Sequence, residues 1–255
     1  MSAAELYSEF SPGALVIMAV GLLLASLARG YSGFGFSALL VASWSLVTEP
    51  SKAVALALVM EVTASIVQAY SVWQAIRWRR VWLLLGGAVI GTPFGVWLLA
   101  HQPANLMRLG VASFVIVMAV ALLAGFKLKR SATSADTAVI GVVSGVANGA
   151  VAMGGLPVAI FLSADGDSPA RIRASLIAYF FLLDLIGIGF LAHERILGQE
   201  TFVHAIVAFP LLVTGMWLGT RHFFGATAAS FRRTTLWLLI GLGLIGIGQA
   251  VVTAN

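Results

Sequence analysis

The chain has 255 residues, of which 60% are hydrophobic and only 10% are charged, and its mean hydropathy is +1.00. Because a soluble domain usually carries about 25% charged residues, this composition excludes a soluble globular protein and indicates an integral membrane protein. The lack of cysteine excludes disulfides and thiol chemistry, and the net charge of +5 does not predict nucleic-acid binding, since the basic residues lie in short loops between apolar segments.

Glycines interrupt the first apolar region of the chain. Residues 13–29 and 36–47 are largely apolar, and Gly30, Gly33 and Gly35 lie between them. A membrane crossing needs about 20 residues, so this region is too short for two full spans joined by a turn. We therefore predict a hairpin of two short helices, whose glycine-rich tip lies near the middle of the membrane.

Three longer apolar segments complete the first half of the chain, at residues 50–77, 81–100 and 106–126. The first of them carries Glu61, Ser65 and Gln68 on one helix face, because these positions follow the helical repeat. The basic run Arg77–Arg80 is expected to end this helix. Residues 131–136 form the clearest hydrophilic linker, and we place the boundary between the two halves there.

The second half repeats this plan. Gly149 and Gly154 lie 119 positions after Gly30 and Gly35, again within a broken apolar region. The apolar pieces beside them are residues 139–147 and 156–163, and longer spans follow at residues 172–192, 202–220 and 234–252. Interrupted apolar segments at matching places in two halves are typical of a transporter's binding site. The alternative is that these glycines only permit close helix packing.

The distribution of lysine and arginine predicts how the halves are oriented. If each half has three spans and a hairpin that returns to its own side, eleven basic residues fall on one face of the membrane and three on the other. Positive residues collect on the cytoplasmic side, so both termini are expected outside. The sequence thus predicts an all-α, multi-pass protein of the cell (inner) membrane. It has two inverted-topology repeats, residues 1–130 and 137–255, each with a glycine-tipped broken-helix hairpin and three transmembrane helices.

The two glycine stretches resemble the sequence motif of the TauE/SafE family of sulfite and organosulfonate transporters. That motif has the form G-x-x-G-x-G-G-G and occurs near the start of each half. The first copy here is Gly30–Phe36 and the second is Gly145–Gly155. Phe36 stands where a third glycine would be, and Ala152 stands where the second copy should have one.

The resemblance covers nearly the whole chain in length and span pattern. Lys52 and Arg171, which are also 119 positions apart, fit the family pattern of a basic residue at the start of the next helix. The family implies alternating-access transport of a small sulfur-containing anion, either sulfite or an organosulfonate such as sulfoacetate or a taurine-like compound. We expect no cofactor, no metal and no nucleic-acid partner. The direction of transport, the coupling ion and the oligomeric state, a homodimer included, stay open at this point.

An anion inside a membrane needs hydrogen-bond donors and positive potential. The short helices that begin near Phe36 and Gly155 direct their N-termini toward the tips, where free N–H groups and a partial positive charge gather. Arg29 would add a full charge and a fork of donors. Its alternatives are an ion pair with Glu61 or Asp184, or a position at the membrane interface. The predicted substrate-binding residues are Arg29, Gly30, Ser32, Gly33 and Gly35 in the first tip and Asn148, Gly149, Met153, Gly154 and Gly155 in the second.

Glu61 and Asp184 are the two carboxylates well inside predicted spans. An unpaired charge there is costly, so each must be neutral, paired or in a cavity. Both are candidates for proton coupling, and as structural residues they would pair with Arg29 or form a hydrogen bond to a neighbouring helix. We favour coupling for Glu61 and a structural role for Asp184. They do not occupy equivalent places in the two halves, because the residue 119 positions after Glu61 is Phe180.

Other classes of function compete with transport of an anion. An intramembrane enzyme would need a nucleophile with a base or a metal cluster, and the chain has neither an H-E-x-x-H nor a G-x-S-x-G motif, so we do not expect an enzyme. A non-transporting scaffold subunit would explain the packing glycines, but not the interrupted spans or Arg29. An anion channel stays open, because a sequence does not distinguish a leak from alternating access.

Overall fold

A computed structural model describes residue 8 and residues 10–125, 132–164, 168–223 and 228–252. These residues form ten α-helices and one short 3₁₀ turn, with no strand among them. The helices are α1 (Pro12–Ser32), α2 (Phe36–Trp44), α3 (Pro50–Val72), α4 (Trp78–His101), α5 (Ala104–Ala124), α6 (Ser134–Val151), α7 (Gly155–Ala164), α8 (Pro169–His193), α9 (Gln199–Phe223) and α10 (Ala228–Val252). The predicted all-helical class is confirmed.

The backbone breaks occur at matching places in the two halves. Helix α1 ends before Gly33 and α6 ends before Ala152, and both of these residues adopt the left-handed conformation, with φ of 79° and 56°. The short helices that follow begin at Phe36 and Gly155, again 119 positions apart. The predicted interruptions are therefore present, each as a left-handed helix ending followed by a new short helix.

Helix packing follows the same internal correspondence. Helix α4 packs on α6, and their counterparts α9 and α1 pack on each other in the same way. The contacts of α4 with α8 are matched by those of α9 with α3, while the pairs α3–α8 and α5–α10 join equivalent helices of the two halves. The repeat is thus visible in the packing, whereas the inversion of one half relative to the other stays a prediction.

The first hairpin is asymmetric in length. Helix α1 has 21 residues and is long enough to cross a membrane, so the prediction of two short helices is wrong for this arm; only α2, with nine residues, is short. The indole of Trp44, at the end of α2, donates a hydrogen bond to the carbonyl of Met18 near the start of α1, at 3.1 Å. Helix α2 therefore returns along α1 toward the side where α1 began.

The far end of α2 is held by two helices that do not belong to the hairpin. Arg108 of α5 donates to the carbonyls of Ser45 and Thr48 at 3.0 and 3.3 Å. Gln249 of α10 donates to the carbonyl of Leu46 at 2.7 Å. These carbonyls belong to the cap residue of α2 and to the turn after it, so the contacts hold the end of α2 in place.

Two predicted boundaries differ from the structure. The basic run Arg77–Arg80 does not end α3; that helix ends at Val72, and α4 begins at Trp78 with Arg77 as its cap residue. Residues 134–136 of the predicted linker form the first turn of α6. They are helical because Thr133 and Asp136 make a reciprocal capping box, which satisfies the free N–H groups of that turn.

Seven of the described helices are long and apolar enough to cross a membrane: α1, α3, α4, α5, α6, α8 and α9. Helix α7 and the segment Leu236–Val251 of α10 are shorter apolar helices. Many large apolar side chains of these helices are exposed on the outside of the protein, among them Ile90 at 71% and Ile206 at 73%. Exposed apolar surface of this extent fits contact with lipid, so the chain is a multi-pass membrane protein.

Close packing of α4 on α6 depends on glycine. A Cβ atom added at Gly91 would overlap the carbonyl oxygen of Val142, and one added at Gly145 would overlap that of Ala88. In the other half, a Cβ atom at Gly219 would overlap the carbonyl of Leu27. The small-residue spacing in α4 and α9 therefore serves helix contact.

Replacement of Gly91 by alanine should lower the unfolding temperature in detergent, because overpacking costs about 1–3 kcal/mol. Gly86 is the matched control: it lies on the same helix, is exposed, and has open space where a Cβ would be added. Gly86→Ala should leave the unfolding temperature unchanged or raise it slightly. Equal unfolding temperatures for the two variants would contradict the packing role of Gly91.

Replacement of Ala152 by glycine should stabilise the protein by about 1 kcal/mol, because a side chain disfavours the left-handed conformation that Ala152 adopts. The control is Ala150→Gly, within regular helix α6, which should destabilise by about 1 kcal/mol. Unfolding in detergent measures both. If the two changes shift stability in the same direction, the backbone explanation fails.

Candidate functional site

Arg29 lies in the last turn of α1 and is completely buried, with 0% of its surface exposed. One terminal nitrogen, Nη1, donates to the carbonyl of Gly33 at 2.7 Å and forms an ion pair with Oε1 of Glu61 at 2.5 Å. The other, Nη2, donates to Oγ of Ser65 at 2.7 Å. The arginine thus holds the turn between α1 and α2 against α3. The alternative in which Arg29 pairs with Glu61 is the one observed.

Glu61 lies at the centre of α3 and connects all three helices of this region. Besides the ion pair with Arg29, its Oε2 accepts a short hydrogen bond from Oγ of Ser37 in the first turn of α2. Only 2% of Glu61 is exposed. Glu61 lies near the middle of the candidate span Pro50–Ala69, so the first tip packs against the centre of that helix.

The second tip is held by a network of uncharged donors and one carboxyl group. Asn148 Nδ2 donates to Oδ1 of Asp184 at 2.9 Å, and its Oδ1 accepts from the backbone N–H of Gly154 at 3.4 Å. Ser144 Oγ donates to the carbonyl of Gly154 at 2.6 Å and accepts from the hydroxyl of Tyr179 at 2.8 Å. Asp184 of α8 thus accepts a hydrogen bond from Asn148 of α6, whereas its role in coupling or in structure stays a prediction.

The two tip networks occupy equivalent positions of the repeat. Arg29 donates a hydrogen bond to Ser65, and Asn148 donates one to Asp184. Asn148 lies 119 positions after Arg29, and Asp184 lies 119 positions after Ser65. The same backbone framework thus carries a cation with a hydroxyl in one half, and an amide with a carboxyl group in the other.

The two tips meet at Phe180. The guanidinium carbon of Arg29 lies 5.0 Å from the centre of the Phe180 ring, within the range of a cation–π contact. Gly155, the first residue of α7, packs so closely on the same ring that an added Cβ would overlap it. Phe180 is the repeat counterpart of Glu61, so Arg29 contacts α3 and α8 at equivalent positions of the two halves.

The charges at this meeting point are almost fully screened from solvent. Glu61 and Asp184 are 2% and 1% exposed, and Arg29 is not exposed at all. Oδ2 of Asp184 and Nε of Arg29 are buried without a hydrogen-bond partner among the described residues. Buried polar atoms of this kind are costly and are uncommon outside functional sites. The junction of the two tips is therefore the candidate site.

The structure gives the remaining predicted residues several different roles. Gly30 and Gly149 pack against the backbones of Met216 and Thr92, so their small size serves helix contact as well as any role at the tip. Gly35 has a φ of 87° and caps α2. Gly33 and Gly154 take part in the hydrogen bonds given above, and the buried Met153 precedes α7. The side chain of Ser32 lies outside the described part of the chain.

Sequence reasoning missed several residues of the site. It did not single out Ser37, Ser144 or Tyr179, because hydroxyl groups on apolar helices carry no distinctive spacing. Phe180 could have been found, since it is the repeat counterpart of Glu61. Arg173 was not singled out either, yet its Nη2 donates to the carbonyl of Gly30 at 2.9 Å.

A cavity of about 780 Å³ lies away from the tips, between α4, α5 and α6. Leu98, Phe114 and Val146 are among its lining residues, and nearly all of the others are apolar as well. Such a lining offers few donors for a small hydrated anion. We therefore retain the tips, where the donors converge, as the candidate site.

Comparison with known proteins gives one match. A family model described as sulfite exporter TauE/SafE matches residues 17–245, a region that contains both tips and all the residues of the candidate site. No curated protein and no solved structure matches the chain. The matched family is one of membrane transporters of sulfur-containing anions, which agrees with the seven candidate spans. The resemblance expected from the glycine stretches is confirmed, and the chain belongs to the TauE/SafE sulfite exporter family.

Proposed function

We propose that this protein is a secondary transporter of a small sulfur oxyanion, sulfite or an organosulfonate, which binds at the junction of the two tips. The observation that carries the proposal is the burial of Arg29 where both tips meet, in a chain of the TauE/SafE family. An ionisable residue this deep in a membrane protein marks a substrate or ion pathway by default. A guanidinium group offers a planar fork of donors, which fits a carboxylate and a sulfur oxyanion equally well.

Competition between substrate and Glu61 supplies a mechanism. Glu61 holds Arg29 through an ion pair, so an incoming oxyanion has to take over the place of this carboxylate. A released Glu61 would leave a second negative charge in an apolar interior, which is costly unless the carboxylate takes up a proton. Anion binding at Arg29 and proton binding at Glu61 are therefore linked, and each favours the other.

Asp184 is the second candidate for a proton site. One of its carboxyl oxygens accepts a hydrogen bond from Asn148, and the other has no partner among the described residues. A proton on that second oxygen would neutralise a buried carboxylate without disturbing the bond to Asn148. We regard Glu61 as the first candidate for the coupling residue and Asp184 as the second, because Glu61 is the carboxylate in direct contact with Arg29.

Alternating access follows from the repeat. Two halves with the same packing and inverted orientation can exchange conformations by rocking about a fixed central site. The near-complete burial of Arg29, Glu61 and Asp184 favours such a mechanism over an open channel, in which these groups would face water. With eleven basic residues on the cytoplasmic face, both termini lie outside.

Removal of the charge of Arg29 alone should destabilise the protein, because Glu61 is left buried and unpaired, at a cost of about 3–5 kcal/mol. The double variant Arg29→Gln with Glu61→Gln removes both charges and should recover most of that stability. It should nevertheless show no rise in unfolding temperature with sulfite, whereas the wild-type protein should show one that grows with concentration. A sulfite-dependent rise in the double variant would exclude Arg29 from the site.

Removal of the charge of Glu61 alone should separate anion binding from proton binding. In Glu61→Gln the competitor for Arg29 is gone, so sulfite should bind at least as tightly as in the wild type. Once the protonation of sulfite itself is corrected for, its affinity should no longer vary with pH. Uptake of labelled sulfite into proteoliposomes should then cease to follow an imposed pH gradient. The matched control is Asp184→Asn. If only this second variant loses the response to the gradient, the proton is carried by Asp184 and not by Glu61.

A further inference from the structure

The guanidinium groups of two arginines converge on the turn between α1 and α2. Arg29 donates to the carbonyl of Gly33 at 2.7 Å, and Arg173 of α8 donates to the carbonyl of Gly30 at 2.9 Å. The aliphatic part of the Arg173 side chain lies against Gly33, where an added Cβ would be 2.5 Å from its Cγ. Two positively charged groups thus donate to carbonyls three residues apart at the first tip, and like charges repel each other.

Arg173 is less buried than Arg29. It is half-buried near the start of α8, whereas Arg29 is fully buried. The carbonyl that Arg173 contacts also accepts a hydrogen bond from Thr220 at 3.1 Å. If Arg173 turned from this carbonyl to a ligand, the carbonyl would keep one donor, so the movement would leave no buried acceptor without a partner.

The second half of the site has this arginine and the first half does not. The position 119 residues before Arg173 is Val54, which is apolar and completely buried. Arg171, two residues earlier in α8, is exposed, so it supplies a surface charge with no contact to the tip in this structure. The extra charge at the tip is therefore specific to position 173 and is not a general property of the helix start.

We infer that Arg173 is a second substrate-binding residue beside Arg29, and that the site is thereby suited to anions with two negative charges. One negatively charged oxygen or group of the anion binds Arg29, while another binds Arg173 and relieves the repulsion between the two guanidinium groups. The inference rests on the proposed function, and it specifies the charge of the substrate. It predicts preference for sulfite or a sulfonate with a second acidic group over a sulfonate with a single charge.

Sulfoacetate and isethionate are suitable probes, because both are two-carbon sulfonates and only sulfoacetate carries a second, carboxylate charge. Dissociation constants for each would be measured from the rise in unfolding temperature with ligand concentration. The wild type should bind sulfoacetate more tightly. In Arg173→Gln the affinity for sulfoacetate should fall about tenfold or more, as for the loss of a charged hydrogen bond, while that for isethionate should hardly change. Arg173→Lys should recover part of the preference, and Arg171→Gln should keep all of it.

The outcomes separate this inference from the proposed function. An equal loss of affinity for both ligands in Arg173→Gln would mean that Arg173 only supports the tip. An unchanged preference would remove it from the site, and either result overturns the inference while anion binding at Arg29 stands. Failure of the wild type to bind sulfite, sulfoacetate or isethionate would instead overturn the proposed function together with the inference. If Arg173→Gln does not fold, Arg173→Lys decides, because a point charge without the fork should still weaken sulfoacetate more than isethionate.

Discussion

The structure depends on one constraint: a positive charge that is buried in an apolar interior has to be neutralised there. Arg29 meets this constraint through Glu61, whose carboxylate also accepts a hydrogen bond from Ser37, so a single charged group joins α1, α2 and α3. Buried ion pairs add little net stability, since the loss of hydration offsets most of the attraction. What they provide is geometric specificity. The pair determines where the break between α1 and α2 lies relative to the centre of α3.

The two halves share the same backbone arrangement at their tips but carry different polar side chains there. Both helix breaks have left-handed endings at positions 119 residues apart, and both first tip residues bond a side chain 36 positions further along the chain. Yet the first half carries Arg29 with Ser65, and the second carries Asn148 with Asp184. Matched backbones allow two conformations of similar energy, whereas unmatched side chains confine the charge to one central place. A carrier needs both properties.

Much of this arrangement could be predicted from the sequence, and the failures have physical causes. The break points could be predicted because glycine is conspicuous within apolar segments, and because the glycines of the second half follow those of the first at a fixed spacing of 119 positions. The length of α1 was underestimated, because the region is too short for two full spans and its length was divided between two short arms, whereas α1 takes 21 residues and α2 only nine. The basic run at Arg77 was assigned to the wrong helix, since the run is equally compatible with an end and a start. Ser144 and Tyr179 could not be found, because their bond depends on the way in which α6 and α8 pack.

Glu61 has a further consequence for the transport cycle. A carrier has to change conformation with and without its substrate, and an unpaired Arg29 at the centre would make the unloaded change costly. The ion pair removes this cost, because Glu61 places a carboxylate on Arg29 whenever an oxyanion does not occupy it. With a singly charged anion the site keeps the same net charge, provided that Glu61 is protonated when the anion is bound. A doubly charged anion lowers the net charge by one and thereby also neutralises Arg173. An internal anion of this kind serves a carrier that returns unloaded. An obligate exchanger, by contrast, gains from a costly unloaded state, so under the proposed function we expect the pair to serve net transport and not exchange.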